Sequence, residues 1–267
     1  MSSPPSKGSP PEKTLKQLQE AGTLSHFASS IAHEVCNPLS QIVLATDFLA
    51  GPRPLNDDMR KKIVGYLRQG AERIDTAMKS MLRTYSPIET SMTSEDANDL
   101  INSALASVIG SESVTINRHF SSELPPVLVD RKHMTDAIAS LCTNAIEAMQ
   151  PGGGTLSLTT TAREFAASER EGWQRQSWFR AGDIAVVVEI TDTGRGIQPA
   201  KLGLVFEPFF TTKAAGLGAG LGLTVAKKIV DLHHGRLEIA NCPEGGVKAT
   251  LTLKAASPSR PDQPHKP

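Results

Sequence analysis

His33 and Glu34 are neighbouring residues whose side chains can act together in proton and phosphoryl chemistry. They lie within a pattern of apolar and small residues that are spaced alternately three and four positions apart, namely Leu24, Ala28, Ile31, Val35, Ile42, Ala45 and Leu49. This spacing is typical of the buried face of a coiled-coil helix. At about 100° per residue, His33 lies roughly 200° from Ile31, so its imidazole is predicted to face solvent. His33 is therefore a candidate phosphate acceptor, although an exposed histidine on its own is more often a solvated surface side chain.

Asp192 begins a second group of residues with chemical potential, in the segment Asp192-Thr-Gly-Arg-Gly196 that follows an apolar run. A carboxylate delivered at the end of a buried strand can accept a hydrogen bond from the exocyclic amine of adenine, which selects adenine over guanine. Gly194 and Gly196 allow the backbone to approach a flat ligand closely. Alone, the Asp-x-Gly-x-Gly pattern is equally typical of a calcium-binding turn or a tight loop.

A glycine-rich stretch from residue 216 to residue 223 supplies a candidate phosphate site. It contains Gly218, Gly220, Leu221, Gly222 and Leu223, and it opens a predicted helix. Backbone N–H groups and the positive end of a helix dipole bind phosphate at such a place. The spacing matches neither a dinucleotide-binding fingerprint nor a Walker loop.

Asn144 and the segment 206–213 complete the candidate nucleotide site. Asn144 lies on a largely apolar helix, where its amide oxygen is a candidate ligand for Mg²⁺ that carries the phosphates of ATP; a hydrogen-bonded core or capping asparagine is the alternative. The segment 206–213 has three phenylalanines followed by Thr212 and Lys213, which are able to meet a phosphate. This segment is predicted to form a mobile lid over the nucleotide.

Two predicted helices must position His33. The first covers residues 14–50, with a bend expected at Pro38, and the segment 51–54 breaks it. In the second helix the apolar and small residues again alternate in steps of four and three, at Ile63, Leu67, Gly70, Ile74, Ala77 and Met81. Two helices joined by a short loop form an antiparallel hairpin. Each of these two rows of apolar and small residues forms a seam along its helix. Dimerisation into a four-helix bundle would bury both seams, and docking on the next domain is the alternative.

The second half of the chain predicts an α/β sandwich. Helices are expected at residues 96–109, 131–149 and 221–233, and strands at residues 113–120, 126–129, 155–162, 184–191, 236–241 and 246–254. The insert at 163–183, which contains Trp173 and Trp178, is interpreted as a surface elaboration rather than a partner-contact loop. His233 and His234 are predicted to cap a helix end as cations. The fold class is therefore α+β, with a helical domain at 14–88, a sandwich domain at 93–254 and disordered tails at 1–13 and 255–267.

Composition excludes several classes of function. Lys plus Arg and Asp plus Glu number 28 each, so a general attraction to nucleic acid or acidic membranes is not expected. No apolar run reaches the roughly 20 residues that a membrane span needs, and the N-terminus does not resemble a secretion signal. Three cysteines without paired spacing suit a reducing cytosol, which predicts a cytoplasmic protein.

Five motifs together resemble those of two-component sensor histidine kinases. In chain order they are His33-Glu34-x-x-Asn37-Pro38-Leu39, Asn144-Ala145, Asp192-x-Gly-x-Gly196, Phe206-Glu-Pro-Phe-Phe210 and Gly218-x-Gly-Leu-Gly-Leu223. The resemblance covers residues 14–254 and is greatest to the nitrogen-regulation-like branch. It implies a dimeric phosphotransfer hairpin joined to an ATP-binding domain of the gyrase, Hsp90, histidine kinase and MutL superfamily.

The resemblance also implies roles and partners. His33 would attack the γ-phosphorus of Mg²⁺-bound ATP while Glu34 acts as general base, and Asn37 would position a water for a phosphatase reaction. The phosphoryl group would pass to an aspartate of a separate response regulator. The sequence contains no sensor domain, so the input is expected from a separate protein, from the insert, from Cys36 or from a region absent from this chain.

Ser140 is the main departure from the family pattern. Many members carry an asparagine one turn before the position of Asn144, so weaker nucleotide binding is expected here. Superfamily ATPases have a glutamate at the position of Ser140 to activate water, and a serine cannot replace this base. An ATPase of this superfamily, or a non-catalytic dimeric scaffold or phosphatase-biased member, is the alternative function.

Overall fold

The computed structural model describes residues 35–52, 55–85, 88–108, 113–165, 179–213 and 220–256. The chain divides into two units, one of residues 1–82 with 211–219 and the other of residues 83–210 with 220–267. His33, Glu34, Gly218 and both tryptophans of the insert lie outside the described residues, as do the predicted tail at 1–13 and residues 257–267 of the other tail. The predictions for these positions stay predictions. Ala255 and Ala256, which were assigned to the second tail, donate backbone hydrogen bonds to Ile184 and Pro126.

The first unit contains a helical hairpin. Helix α1 covers residues 35–50 and helix α2 is Asp57–Tyr85. The side-chain oxygen of Asn56 accepts a hydrogen bond from the Met59 N–H at 2.8 Å, which caps the start of α2. Among the described residues, no helix has both the length and the apolar character needed to cross a membrane.

The two helices meet along the predicted seam. A Cβ on Gly70 would lie 2.8 Å from Cγ1 of Ile42, so the helices approach where α2 has no side chain. Ala45 is buried on the same side of α1. The seam is therefore confirmed in the middle of the hairpin, whereas Leu49, which was predicted to belong to it, is exposed.

The second unit is built on a five-stranded sheet in the order β2-β4-β5-β7-β6. Its strands are β2 (Val114–Phe120), β4 (Gly154–Glu164), β5 (Ile184–Asp192), β6 (Arg236–Asn241) and β7 (Val247–Lys254). The pair β2 and β4 is parallel, and the other three pairs are antiparallel. Strands β1 (Thr93–Glu95) and β3 (Val127–Val129) form a separate two-stranded ribbon.

Three helices cover one face of the sheet and enclose the core. They are α3 (Ala97–Ser107), α4 (Arg131–Ala148) and α5 (Gly222–Leu232). Asp96 and Asp130 cap the first two by accepting hydrogen bonds from backbone N–H groups of the first turn. The core consists of the apolar sides of these helices and the inward residues of the strands, including Leu100, Ile138, Leu156, Val188 and Leu251. The predicted α/β sandwich is confirmed.

Two short elements were missed by the sequence analysis. Strand β1 has only three residues, and a 3₁₀ helix covers Pro199–Leu204. The ends of the insert are also more regular than expected, because β4 extends to Glu164 and the rings of Phe165 and Phe179 pack together at a centroid distance of 5.3 Å. Both phenylalanines are buried, so the base of the insert has a small apolar core of its own.

His233 is the C-cap residue of α5, as predicted, but the prediction that it caps the helix as a cation is wrong. Its side chain is 6% exposed, and Nε2 accepts a hydrogen bond from the Asp130 N–H at 2.9 Å. Nδ1 lies 2.7 Å from the Ile229 carbonyl oxygen and therefore carries the proton that it donates. Burial lowers the pKa of His233, which favours this neutral ring. His233 thus links the end of α5 to the start of α4, and His234 takes the left-handed conformation that ends the helix.

Candidate functional site

Asp192 ends β5, an interior strand of the sheet, and the two oxygens of its carboxylate have different surroundings. The residue is 4% exposed, and Oδ1 accepts hydrogen bonds from the Gly194 N–H at 2.8 Å and the Val247 N–H at 3.3 Å. Within the described part of the chain, Oδ2 has no hydrogen bond. Among the described residues, Oδ2 is not one of the fully buried side-chain atoms that lack a partner, so a ligand amine can reach it and donate a hydrogen bond to a charged group.

The electrostatics of Asp192 reflect this arrangement. Burial raises the pKa of its carboxyl group, and the hydrogen bonds from the Gly194 and Val247 N–H groups oppose that rise. The ionised form is therefore held at a cost in the unliganded protein. A carboxylate that is partly removed from water therefore gains more free energy from a ligand hydrogen bond than a fully hydrated carboxylate does.

The loop after Asp192 packs on the end of α4. A Cβ on Gly194 would lie 2.9 Å from the Ala148 carbonyl oxygen, and the Arg195 N–H donates to the same oxygen at 3.4 Å. Gly196 has φ of 68°, a conformation that favours glycine. The sequence analysis attributed both glycines to the approach of a ligand. The structure gives Gly194 a packing reason as well.

Asn144 and Ser140 lie on the side of α4 that faces the start of α5. A Cβ on Gly222 would lie 2.9 Å from Oγ of Ser140 and 3.7 Å from Nδ2 of Asn144. Gly222 is the first residue of α5, so backbone N–H groups of its first turn open beside the Asn144 amide. The structure thus brings together the predicted metal ligand and the helix start that was predicted to bind phosphate. Leu221 is buried and Leu223 packs against the core, so these two residues anchor the segment.

The segment 206–210 is fixed to the glycine-rich segment. Oγ1 of Thr224 donates a hydrogen bond to the Phe206 carbonyl oxygen at 3.0 Å. A Cβ on Gly220 would lie 2.6 Å from the Phe209 carbonyl carbon, and both residues have φ of 65°. The backbone of the predicted lid at Phe209 therefore touches the glycine-rich segment at Gly220, where only glycine fits.

Three other predicted site residues belong to the unit of the helical hairpin. Thr212 is exposed and Lys213 is half-buried, and both belong to the unit of the helical hairpin. Asn37 is exposed on α1, in the same unit. The roles predicted for these three residues stay predictions.

The sequence analysis missed the residues of β4 and of the β6–β7 turn that form hydrogen bonds with the Asp192 loop. Thr193 accepts a hydrogen bond from the Thr155 N–H at 3.0 Å through Oγ1. Asn241 and Val247, at the two ends of the β6–β7 turn, contact the backbone of Ile197 and the carboxylate of Asp192. In the sequence, the segment 241–246 reads only as a turn between strands, and no local pattern connects it with a loop more than 40 residues away.

Comparison with known proteins identifies relatives over most of the chain. Residues 129–257 match the family model described as histidine kinase-, DNA gyrase B-, and HSP90-like ATPase. Sensor histidine kinase ZraS of Escherichia coli (strain K12) is 28% identical over 242 residues, which are 90% of this chain and 47% of ZraS. Signal transduction histidine-protein kinase AtoS of the same strain is 25% identical over 245 residues, 91% of this chain and 36% of AtoS. The chain therefore spans half or less of the length of these relatives.

A solved structure has the same fold over most of the chain. Histidine kinase ThkA, solved in complex with the response regulator protein TrrA, is similar with a TM-score of 0.66 and 21% sequence identity. The similarity covers 92% of this chain and 66% of that one. At this identity the match supports the fold, and it includes the helical region as well as the sheet domain.

Proposed function

We propose, from the relationship of this chain to the sensor histidine kinases and from its gyrase B- and HSP90-like ATPase domain, that it is an ATP-dependent protein histidine kinase that phosphorylates its own His33. The observation that carries the proposal is the buried carboxylate of Asp192, with one oxygen held by backbone N–H groups and the other open to a donor. The exocyclic amine of adenine is such a donor. The start of α5 lies beside the Asn144 amide, and we propose this place for the phosphates.

The proposed reaction is a phosphoryl transfer within the protein. A neutral imidazole nitrogen of His33 attacks the γ-phosphorus, a nitrogen–phosphorus bond forms, and the bond to the β,γ-bridging oxygen breaks to release ADP. Glu34 accepts the imidazole proton and orients the ring. Lys213 and Thr212 contribute by binding the phosphate charge, and the protein acts mainly by positioning and charge neutralisation.

The residues around the start of α5 fit a magnesium ion that is carried by the nucleotide. The described residues contain no group of three or more His, Cys, Asp or Glu side chains able to hold a metal. Mg²⁺ is commonly held by one or two protein oxygens together with water and substrate phosphates. Asn144 would supply the protein oxygen at this position, and the ion, when bound, neutralises phosphate charge.

A homodimer is proposed from the outer surface of the hairpin. After the seam between α1 and α2 is formed, large apolar side chains stay exposed on both helices, including Val43, Leu44, Phe48, Val64 and Tyr66. Two hairpins that pack these side chains against each other would form a four-helix bundle, which removes the apolar surface from water.

The phosphoryl group is proposed to pass from His33 to an aspartate of a response regulator in the cytoplasm, where ATP is available. The relative ThkA was solved with a response regulator protein, and that complex supports this class of partner. Asn37 lies one turn beyond His33 and is exposed, so it is available to position a water for the reverse, phosphatase reaction.

Incubation of the purified chain with γ-labelled ATP and Mg²⁺ tests the proposal. Label that is stable in base and lost in acid is expected on the protein, and it is expected to disappear in a His33→Gln variant. His119→Gln, which alters an exposed histidine of β2, is the matched control and is expected to retain the label. Equal labelling of the His33→Gln variant, or steady ATP hydrolysis that does not need His33, would contradict the proposal.

A further inference from the structure

The turn between β6 and β7 lies directly behind the Asp192 loop. A Cβ on Gly246, whose φ is 81°, would lie 1.9 Å from the Asp192 carbonyl oxygen, so the backbones are in contact there. Next to it, the Val247 N–H donates to Oδ1 of Asp192 at 3.3 Å. One end of the turn is thus fixed to the residue proposed to recognise adenine.

The other end of the turn holds the far end of the loop through Asn241. Oδ1 of Asn241 accepts a hydrogen bond from the Ile197 N–H at 2.8 Å, and Nδ2 donates to the Ile197 carbonyl oxygen at 2.6 Å. A single side chain therefore satisfies both backbone groups of one residue. The same Oδ1 is the atom nearest to where a Cβ on Gly196 would lie, at 3.4 Å.

The turn itself is closed by backbone hydrogen bonds of its own. The Cys242 N–H donates to the Gly246 carbonyl oxygen and the Gly245 N–H donates to the Cys242 carbonyl oxygen, each at 3.1 Å. Asn241 also belongs to β6, whose register with β7 pairs it with Val247. Both contacts with the loop therefore originate from one closed hairpin.

We infer that Asn241 is a positioning residue for nucleotide recognition, which fixes Ile197 and thereby the loop that carries Asp192, Gly194 and Gly196. This inference rests on the proposed ATP-binding function. Asn241 is exposed and lies outside the apolar core, so the hydrogen bonds of its side chain act on the loop at Ile197 and not on the core. A loop held at both ends keeps Oδ2 of Asp192 in the position where the adenine amine donates.

Calorimetric titration of the full chain with ATP and with GTP, each with Mg²⁺, tests this role. In Asn241→Ala, loss of two hydrogen bonds is expected to weaken ATP binding by about tenfold. GTP cannot donate an amine at the adenine position, so its weaker binding is expected to change by less than about twofold and the preference for ATP to fall. Glu244→Ala, an exposed substitution in the same turn, is the matched control and is expected to bind both nucleotides as the native chain does.

Two outcomes would overturn the inference: an ATP affinity in Asn241→Ala within about twofold of the native value, or an equal loss for ATP and GTP. If Asn241→Ala does not fold, Asn241→Asp serves instead, because it keeps an acceptor for the Ile197 N–H and loses only the donor. The same two criteria apply to it. A native chain that binds no ATP would instead contradict the proposed function.

Discussion

The substitution Asp192→Asn tests two effects of the carboxylate separately, namely its proposed role in ATP binding and the destabilisation that results from burying its charge. In this variant, the amide oxygen can still accept hydrogen bonds from the Gly194 and Val247 N–H groups, so the loop keeps its internal contacts. The amide nitrogen then occupies the position of Oδ2 and presents donors to the adenine amine, which is also a donor. Hydrogen bonds to charged groups contribute about 1.5–3 kcal/mol, so the Kd for ATP is expected to rise about 10- to 150-fold.

The unliganded variant is expected to be at least as stable as the native chain at neutral pH. Burial raises the pKa of Asp192, so the folded state binds a proton at pH values where the unfolded state has lost it. Native stability therefore falls as pH rises from the ordinary aspartate value of about 4 through the raised pKa of Asp192. The variant has no carboxyl group at this position, so this part of the pH dependence should disappear.

Calorimetric titration with MgATP and thermal unfolding of the unliganded protein across this pH range measure both effects. Asp183→Asn is the opposite control. Although burial raises the pKa of Asp183, hydrogen bonds from Lys254 and from the Arg180 N–H outweigh it and lower that pKa, so this variant should lose stability at neutral pH and keep ATP binding. An Asp192→Asn variant that binds ATP within about threefold of the native value, or that unfolds at a clearly lower temperature, would refute the reasoning.

Three further substitutions or modifications test the fold. Gly246→Ala should destabilise the protein by about 2 kcal/mol or more in urea unfolding, because its φ is positive and the new Cβ would meet the Asp192 backbone, whereas Gly203→Ala, where a Cβ meets nothing within 4 Å, should be nearly neutral. The His233→Gln variant should lose less stability than the native chain as pH falls below about 6.5, because burial lowers the pKa of His233 and only the unfolded native chain then binds the proton. An unfolding free energy that falls with acid equally in both proteins would contradict this. The thiol of Cys142, whose pKa burial raises to about 12, should resist alkylation at pH 8 in the folded protein and react after unfolding; rapid reaction of the native protein would show that α4 is not packed as described.

The residues that carry local sequence patterns were predicted well. Asp192 follows an apolar run and precedes two glycines, so its place at a strand end could be inferred from a few adjacent residues. The helix containing Asn144 and the strands that precede and follow it were predicted to within about two residues, because apolar periodicity reports burial directly. The packing of Ile42 against Gly70 also followed from periodicity in two separate helices.

The supporting residues could not be predicted, because their roles depend on contacts between distant parts of the chain. Asn241 contacts Ile197 from 44 positions away, and His233 accepts a hydrogen bond from Asp130 across 103 positions. From the sequence, a histidine near a helix end is a plausible cation, and only the surrounding core makes it neutral. Strand β1 has three residues, too few to show an alternating pattern.

Helices α4 and α5 run antiparallel and are joined at both ends, which relates the departure at Ser140 to the rest of the site. At one end His233 bonds to the Asp130 N–H, and at the other Gly222 lies against Ser140 and near Asn144. Because a Cβ on Gly222 would lie only 2.9 Å from Oγ of Ser140, the start of α5 already abuts the side chain at position 140. An asparagine there is longer than serine and would have to turn away from Gly222 or displace α5. Serine at this position therefore permits close packing of the two helices that carry the proposed phosphate-binding groups, and it leaves Asn144 as the amide nearest to the start of α5.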